Sequence, residues 1–177
     1  MINFSIFKLN GIKKRKEYAS VRLPRTIEST IFDAFIVLEV LVAWIIMAWL
    51  YVRIDIVPTH FNAMGKADAW GSHTMLIFMA LIDAVVMGLL AYSAYHPKYI
   101  NTPVKVVTEE QLMLNARMVR ILALIIGLLF ILIAIKMGGA IFGMSDPVFA
   151  MLMLCCVVAL MGVAIGFSVY VHLRRPR

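Results

Sequence analysis

Long apolar runs alternate with short polar connections along this chain. Four runs, at 31–51, 74–95, 119–137 and 148–171, are each long enough to cross a bilayer, since a span needs about 20 apolar residues. A helix satisfies all its backbone hydrogen bonds within the segment, which a lipid environment requires. The pattern therefore predicts an all-α membrane protein, a bundle of four transmembrane helices.

Composition supports this prediction. Of 177 residues, 63% are hydrophobic, whereas soluble domains are nearer half apolar. The adjacent Cys155 and Cys156 lie inside the fourth run and point about 100° apart on a helix, so we interpret them as small buried or lipid-facing side chains. No cleavable leader is predicted, because apolar residues precede the basic run 13–16. The N-terminal segment either lies flat on the inner membrane face or is a frayed tail.

The basic residues predict the orientation. Fourteen of the 17 Lys and Arg residues fall in 1–30, 96–120 and 174–177, and only Arg53, Lys66 and Lys136 fall on the other side. Because cytoplasmic loops carry the excess of Lys and Arg, we expect both termini inside. The net charge of +7 then reflects topology and lipid contact, and no nucleic-acid partner is predicted.

Several residues predict helix ends and helix contacts. Thr108 and Gln111 form a candidate capping box before the third span. Asp146 is the predicted N-cap of the fourth helix, with Pro147 at its first position. Gly162 and Gly166 match the small-residue pattern of packed membrane helices, and they are a candidate face for a homodimer.

The outer connection, "VPTHFNAMGKADAWGSH" at 57–73, reads as an ordered, tight loop. Pro58 fixes its own φ, and Gly65 and Gly71 suit positive φ. Asn62 and Asp68 favour side-chain turns, and Ser72 is the predicted N-cap of the second helix. Phe61 and Trp70 are aromatic anchors at the membrane interface.

Three residues of this loop are weak candidates for metal ligands. His60, Asp68 and His73 carry donors that zinc accepts, but their spacing fits no standard zinc motif. No cofactor is therefore predicted, and an enzyme is not the favoured interpretation.

Ionisable residues inside the spans require a reason, because a mid-helix charge costs about 2.5–3.5 kcal/mol on insertion scales. Asp33 is predicted to reach the headgroups. Glu39 and Asp83 are deeper and at similar depth if the first two spans are antiparallel neighbours. They form either a proton or cation site, or two protonated acids that hold helices together by hydrogen bonds. Lys136 is expected to snorkel, or to pair with Asp55 or Asp68.

The outer loop resembles the signature of a bacterial membrane family, domain of unknown function 1648, over about residues 31–120. The matching positions are Pro58, His60, Phe61, Asn62, Gly65, Asp68, Trp70, Gly71 and Ser72, whereas His73 stands where the family usually has Lys. The resemblance implies location in the bacterial cytoplasmic (inner) membrane. It also implies kinship with immunity proteins against a sporulation-delaying toxin. The expected organisation is a basic segment (1–25), a signature domain (26–120, with loops 52–73 and 96–118) and a C-terminal helical hairpin (119–177).

Three functions are compatible with these observations. The leading hypothesis is a non-enzymatic, immunity-type envelope sensor that binds a peptide, a lipid or a partner membrane protein at the outer face. The second is a proton- or cation-coupled transport component that uses Glu39 and Asp83. The third is a membrane metalloenzyme built on the outer loop.

Overall fold

The fold is a bundle of four long helices with a small β-hairpin at one end. A computed structural model describes residues 22–100, 109–139 and 145–173. The elements are α1 (Ile27–Tyr51), β1 (Ile56–Phe61), β2 (Ala67–Ser72), α2 (Thr74–Ser93), a 3-10 turn (Pro97–Tyr99), α3 (Glu109–Met137) and α4 (Asp146–Leu173). All four helices are long and apolar enough to cross a membrane, which confirms the predicted four-helix membrane bundle.

The helix starts differ in detail from the predictions. α1 begins earlier, at Ile27, because Thr26 and Ser29 cap each other's backbone N–H groups at 3.0 and 2.8 Å. Ser72 ends β2 and His73 precedes α2, although the Ser72 hydroxyl still accepts from Thr74 N at 3.3 Å. α4 begins at Asp146 itself rather than after it. The predicted capping box at Thr108 lies outside the described residues.

α3 is the central helix of the bundle. It packs against α1, α2 and α4, and α1 also packs against α2, whereas α4 packs chiefly on α3. Cys156 is buried at the α3–α4 contact with Leu132 and Phe149, and Cys155 is exposed; both thiols are free. The interpretation of these cysteines as small apolar side chains is therefore confirmed.

The polar connection between α1 and α2 is ordered, as predicted, and it is a β-hairpin. β1 and β2 pair antiparallel from Ile56 and Ser72 to Phe61 and Ala67, with an irregularity near His60. The side-chain oxygen of Asn62 accepts from Met64 N and Lys66 N at 2.9 and 3.1 Å and so holds the turn together.

The two loop glycines have different roles. Gly65 has a φ of +77°, as predicted, and completes the turn. The positive φ predicted for Gly71 is wrong. A Cβ at Gly71 would lie 2.8 Å from Cγ2 of Thr59 across the hairpin, so the lack of a side chain lets the two strands approach.

The hairpin packs on the start of α4. A Cβ at Gly65 would clash with the carbonyl oxygen of Asp146 and lie 3.2 Å from Ala150 N. The rings of Phe61 and Phe149 lie 5.1 Å apart. The connection between α1 and α2 is therefore held against α4.

Candidate functional site

A cavity of about 510 Å³ lies under the hairpin, between α2 and α4. Its walls are apolar side chains of three helices: Met75 and Met79 on α2, Ile133 and Met137 on α3, and Met153 and Val157 on α4. The cavity exists because α3 holds α2 and α4 on either side of itself. Phe61 and Phe149 join the hairpin to α4 above this gap.

The hairpin contributes five of its nine signature residues to this cavity. Pro58, His60, Phe61, Asn62 and Gly65 line it, so the polar groups of the site come from β1 and the turn. The remaining signature residues, Asp68, Trp70, Gly71 and Ser72, together with His73, are outside the lining. Trp70 is 62% exposed, which suits an aromatic side chain at a membrane interface.

The three candidate metal ligands lie at two separate places on the hairpin. Nδ1 of His60 lies 2.5 Å from Oδ1 of Asp68 near the tip of the hairpin. His73 lies at its base, where Nδ1 is 3.0 Å from the Ile54 carbonyl oxygen and 3.8 Å from Oδ1 of Asp55. In the described ranges, no three His, Cys, Asp or Glu residues are grouped to hold a metal ion.

A second polar site lies midway along α1 and α2, at Glu39 and Asp83. The Trp44 indole N–H donates to the Ala80 carbonyl oxygen at 3.0 Å, and this antiparallel register places the two acids at similar depth on neighbouring, packed helices. Asp83 is fully buried, and both of its carboxylate oxygens lack a hydrogen-bond partner. Oε2 of Glu39 is also buried without a partner. The structure thus places the two acids at the same level of the bundle. Among the described residues it gives Asp83 none of the side-chain hydrogen bonds that a purely helix-holding role requires.

Gly127 on α3 makes room for this acid pair. A Cβ at Gly127 would clash with Oε2 of Glu39 and would lie 2.8 Å from Cε of Met87. Sequence reasoning missed this residue, although it left a signal. A glycine inside an apolar helix costs about 1 kcal/mol relative to alanine, and Gly127 is the only glycine in the 119–137 run.

Two other charged residues have partners that the sequence did not predict. Nζ of Lys136 lies 2.5 Å from Oδ1 of Asp146, so its predicted pairing with Asp55 or Asp68 is wrong. Asp33 accepts a hydrogen bond from the Tyr95 hydroxyl and faces Arg120 at 4.0 Å; its position at the headgroups stays a prediction. Both contacts join different helices, which spacing within one segment cannot reveal.

Gly162 and Gly166 make no close helix contact with the part of the chain that the structure describes. A Cβ added at either glycine would meet nothing within 4 Å among the described residues. The surrounding face of α4 is largely exposed, including Val158, Met161 and Ile165. A homodimer through this face stays a prediction.

The comparisons with known proteins give one match. Residues 38–82 match the family model described as "Domain of unknown function (DUF1648)". No curated protein and no solved structure matches the chain. The matched segment is narrower than the predicted 31–120; it contains the hairpin and Glu39 and ends one residue before Asp83. This membrane protein therefore carries, over residues 38–82, a DUF1648 domain.

Proposed function

We propose that the protein is a non-enzymatic envelope binding protein or sensor of the immunity type, which takes an amphipathic ligand at its hairpin. The observation that carries this proposal is the cavity of about 510 Å³ that the hairpin shares with α2, α3 and α4. Ligand sites in proteins are mostly apolar concavities of about 300–1,000 Å³ with a few polar groups.

The lining favours an amphipathic ligand. Four methionines, Met75, Met79, Met137 and Met153, supply adaptable apolar walls. His60 and Asn62 supply polar groups at the hairpin side. A complete helix about 10–12 Å in diameter is too wide for this volume, whereas an acyl chain or the apolar end of a short peptide fits it.

The proposed location is the bacterial cytoplasmic membrane, with the hairpin outside and both termini inside. The uneven distribution of Lys and Arg supports this orientation. The ligand would then reach the cavity from the outer face or from the outer half of the bilayer.

Filling the cavity tests the proposal. Met153→Trp places a larger side chain in the cavity wall, and Met161→Trp makes the same change on an exposed part of α4. Native mass spectrometry of protein purified with lipid, and thermal-shift titration with short apolar peptides, should detect a bound ligand in the wild type and in Met161→Trp. We expect at least a tenfold loss of binding in Met153→Trp, and equal binding by both variants would contradict the proposal.

A second candidate function is proton- or cation-coupled transport through Glu39 and Asp83. The fully buried, unpartnered carboxyl of Asp83 favours it, because membrane acids without a structural partner mark ion pathways. Proteoliposomes should show an ion flux that Glu39→Gln and Asp83→Asn abolish. Absence of flux in the wild type under both proton and sodium gradients would remove this candidate.

A further inference from the structure

The acid pair lies at the centre of the membrane part of the bundle. Glu39 is the central residue of α1, and Asp83 lies at the centre of α2. Neither end of the bundle is near, so water at the two membrane surfaces cannot solvate these carboxyl groups. An ionised carboxylate there requires a compensating charge or a strong hydrogen-bond donor.

No basic side chain of the described residues lies beside the pair. On α3, Arg120 and Lys136 are the nearest basic residues in sequence to Gly127, about 10 and 14 Å away along the helix axis. Arg120 faces Asp33 and Tyr95, and Lys136 faces Asp146. The other ionisable residues of α1 and α2 are Glu28, Asp33, Tyr51 and Tyr92, and those of α4 are Asp146, Cys155, Cys156, Tyr170 and, near its end, His172.

We propose that Glu39 and Asp83 bind one proton between them as a unit, and that Gly127 is the positioning residue whose lack of a side chain gives the Glu39 carboxyl group its place beside α3. The proposal goes beyond ligand binding at the hairpin and does not depend on it. It deepens the transport candidate by naming the ion, and it rests on geometry that stands whether or not net transport occurs.

The chemistry of the pair follows from the charges. In the structure, Oε2 of Glu39 and both carboxylate oxygens of Asp83 have no hydrogen-bond partner. In the one-proton state we expect the two side chains to turn toward each other, so that the protonated acid donates a charge-assisted O–H···O⁻ hydrogen bond of about 2.5–2.7 Å. Loss of that proton leaves two adjacent anions in a low-dielectric site, and gain of a second proton removes the charge-assisted bond. The one-proton state is therefore favoured over both neighbours, which makes the two groups titrate as one coupled system.

The surroundings favour a proton over a metal cation. The Glu39 carboxyl group is pressed against the backbone of α3 at Gly127, where Met87 also closes in. A sodium ion requires several oxygen ligands and space for its own radius, whereas a proton occupies no additional volume. Among the side chains that the structure describes, the unpartnered buried oxygens at this depth are those of the two acids themselves.

Infrared difference spectroscopy of the purified protein in lipid nanodiscs tests the proposal. Spectra between low and high pH resolve the carboxyl band, and the Glu39→Gln and Asp83→Asn variants assign it. We expect removal of either acid to move the titration midpoint of the other by about one pH unit or more, as coupled groups require. Replacing potassium with sodium should leave both midpoints unchanged.

Gly127→Ala provides a second test that keeps both acids. The new Cβ displaces the Glu39 carboxyl group. We therefore expect the effect of each acid on the proton-binding constant of the other to fall at least tenfold, while the carboxyl band of Asp83 remains. Gly88→Ala on α2 is the matched control, because a Cβ there meets nothing within 4 Å, and it should retain the wild-type spectrum.

Independent titration of the two acids in the wild type, or a midpoint that depends on sodium, would overturn the proposal. Retained coupling in Gly127→Ala would overturn the positioning role. Coupled titration without proton flux in proteoliposomes would support the shared proton and contradict only the transport candidate. Proton flux with uncoupled titrations would defeat the shared proton and leave transport standing.

Discussion

At the scale of single residues, two glycines determine where polar groups can lie. Gly65 lets the hairpin turn reach the backbone of α4, and Gly127 lets a carboxyl group reach the backbone of α3. Each position requires the absence of a Cβ for a contact with another element. The turn role of Gly65 could be predicted from its neighbours Asn62 and Lys66, whereas the close approach to Asp146 could not, because residues so far apart in sequence share no local pattern.

Gly65→Ala should destabilise the protein. A left-handed φ costs an L-residue about 1–2 kcal/mol, and the new Cβ also clashes with the Asp146 carbonyl oxygen. Thermal unfolding in detergent, followed by circular dichroism, should show a clear fall in Tm. The control, Gly162→Ala, adds a Cβ to open space and should match the wild type or exceed it slightly, since alanine favours helix. Equal Tm values for Gly65→Ala and the wild type would contradict the docked turn.

At the scale of elements, the hairpin is the feature that the sequence only partly revealed. Its order, its turn at Asn62 and its place between the first two helices follow from Pro, Gly and Asn chemistry. Its strands do not, because β1 and β2 are short and carry no strict alternation of apolar and polar residues. Their pairing is stabilised by packing, with Val57 fully buried against Leu50 and Leu76.

Phe61→Ala should release the hairpin from α4. The variant loses the ring contact with Phe149, and an aromatic pair contributes about 0.5–1.5 kcal/mol beyond its buried area. Lys66 is exposed in the turn, so limited trypsin digestion at this residue reports how often the hairpin opens. We expect cleavage several-fold faster than in the wild type.

The matched control is Phe78→Ala on α2, where the phenylalanine is 59% exposed. This variant makes the same deletion away from the hairpin and should be cleaved at the wild-type rate. Equal cleavage rates in the two alanine variants would mean that the Phe61 contact does not hold the hairpin.

At the scale of the whole molecule, the sequence predicts the class of fold well and the arrangement of helices poorly. Four apolar runs are sufficient to predict four spans, because length and hydropathy are properties of each segment. The central position of α3 depends on which faces meet, and hydropathy alone does not specify this when every helix is apolar on most sides. The two candidate sites differ in the same way in how far the sequence predicts them. Glu39 and Asp83 stand out in the sequence as single ionisable residues, whereas the cavity between α2 and α4 exists only in the assembled bundle.

The orientation proposed from charge can be tested on whole cells. Cysteine substitutions at Lys66, in the hairpin turn, and at Lys98, in the 3-10 turn at the other end of α2, place thiols at exposed positions. The native Cys155 and Cys156 are first replaced with alanine. A membrane-impermeant maleimide should label position 66 in intact cells and position 98 only after permeabilisation. The reverse pattern would contradict the proposed orientation and put the cavity on the cytoplasmic side.

The contact between Gly65 and Asp146 also has a consequence for biosynthesis. The hairpin is translated right after α1, but its docking surface is the first turn of α4, which is synthesised only after α2 and α3. During insertion the hairpin therefore remains undocked while α2 and α3 are synthesised. Its own turn bonds at Asn62 can form without α4 and preserve its shape over that interval. The cavity wall that α4 supplies is then added after the hairpin, α2 and α3 have been made.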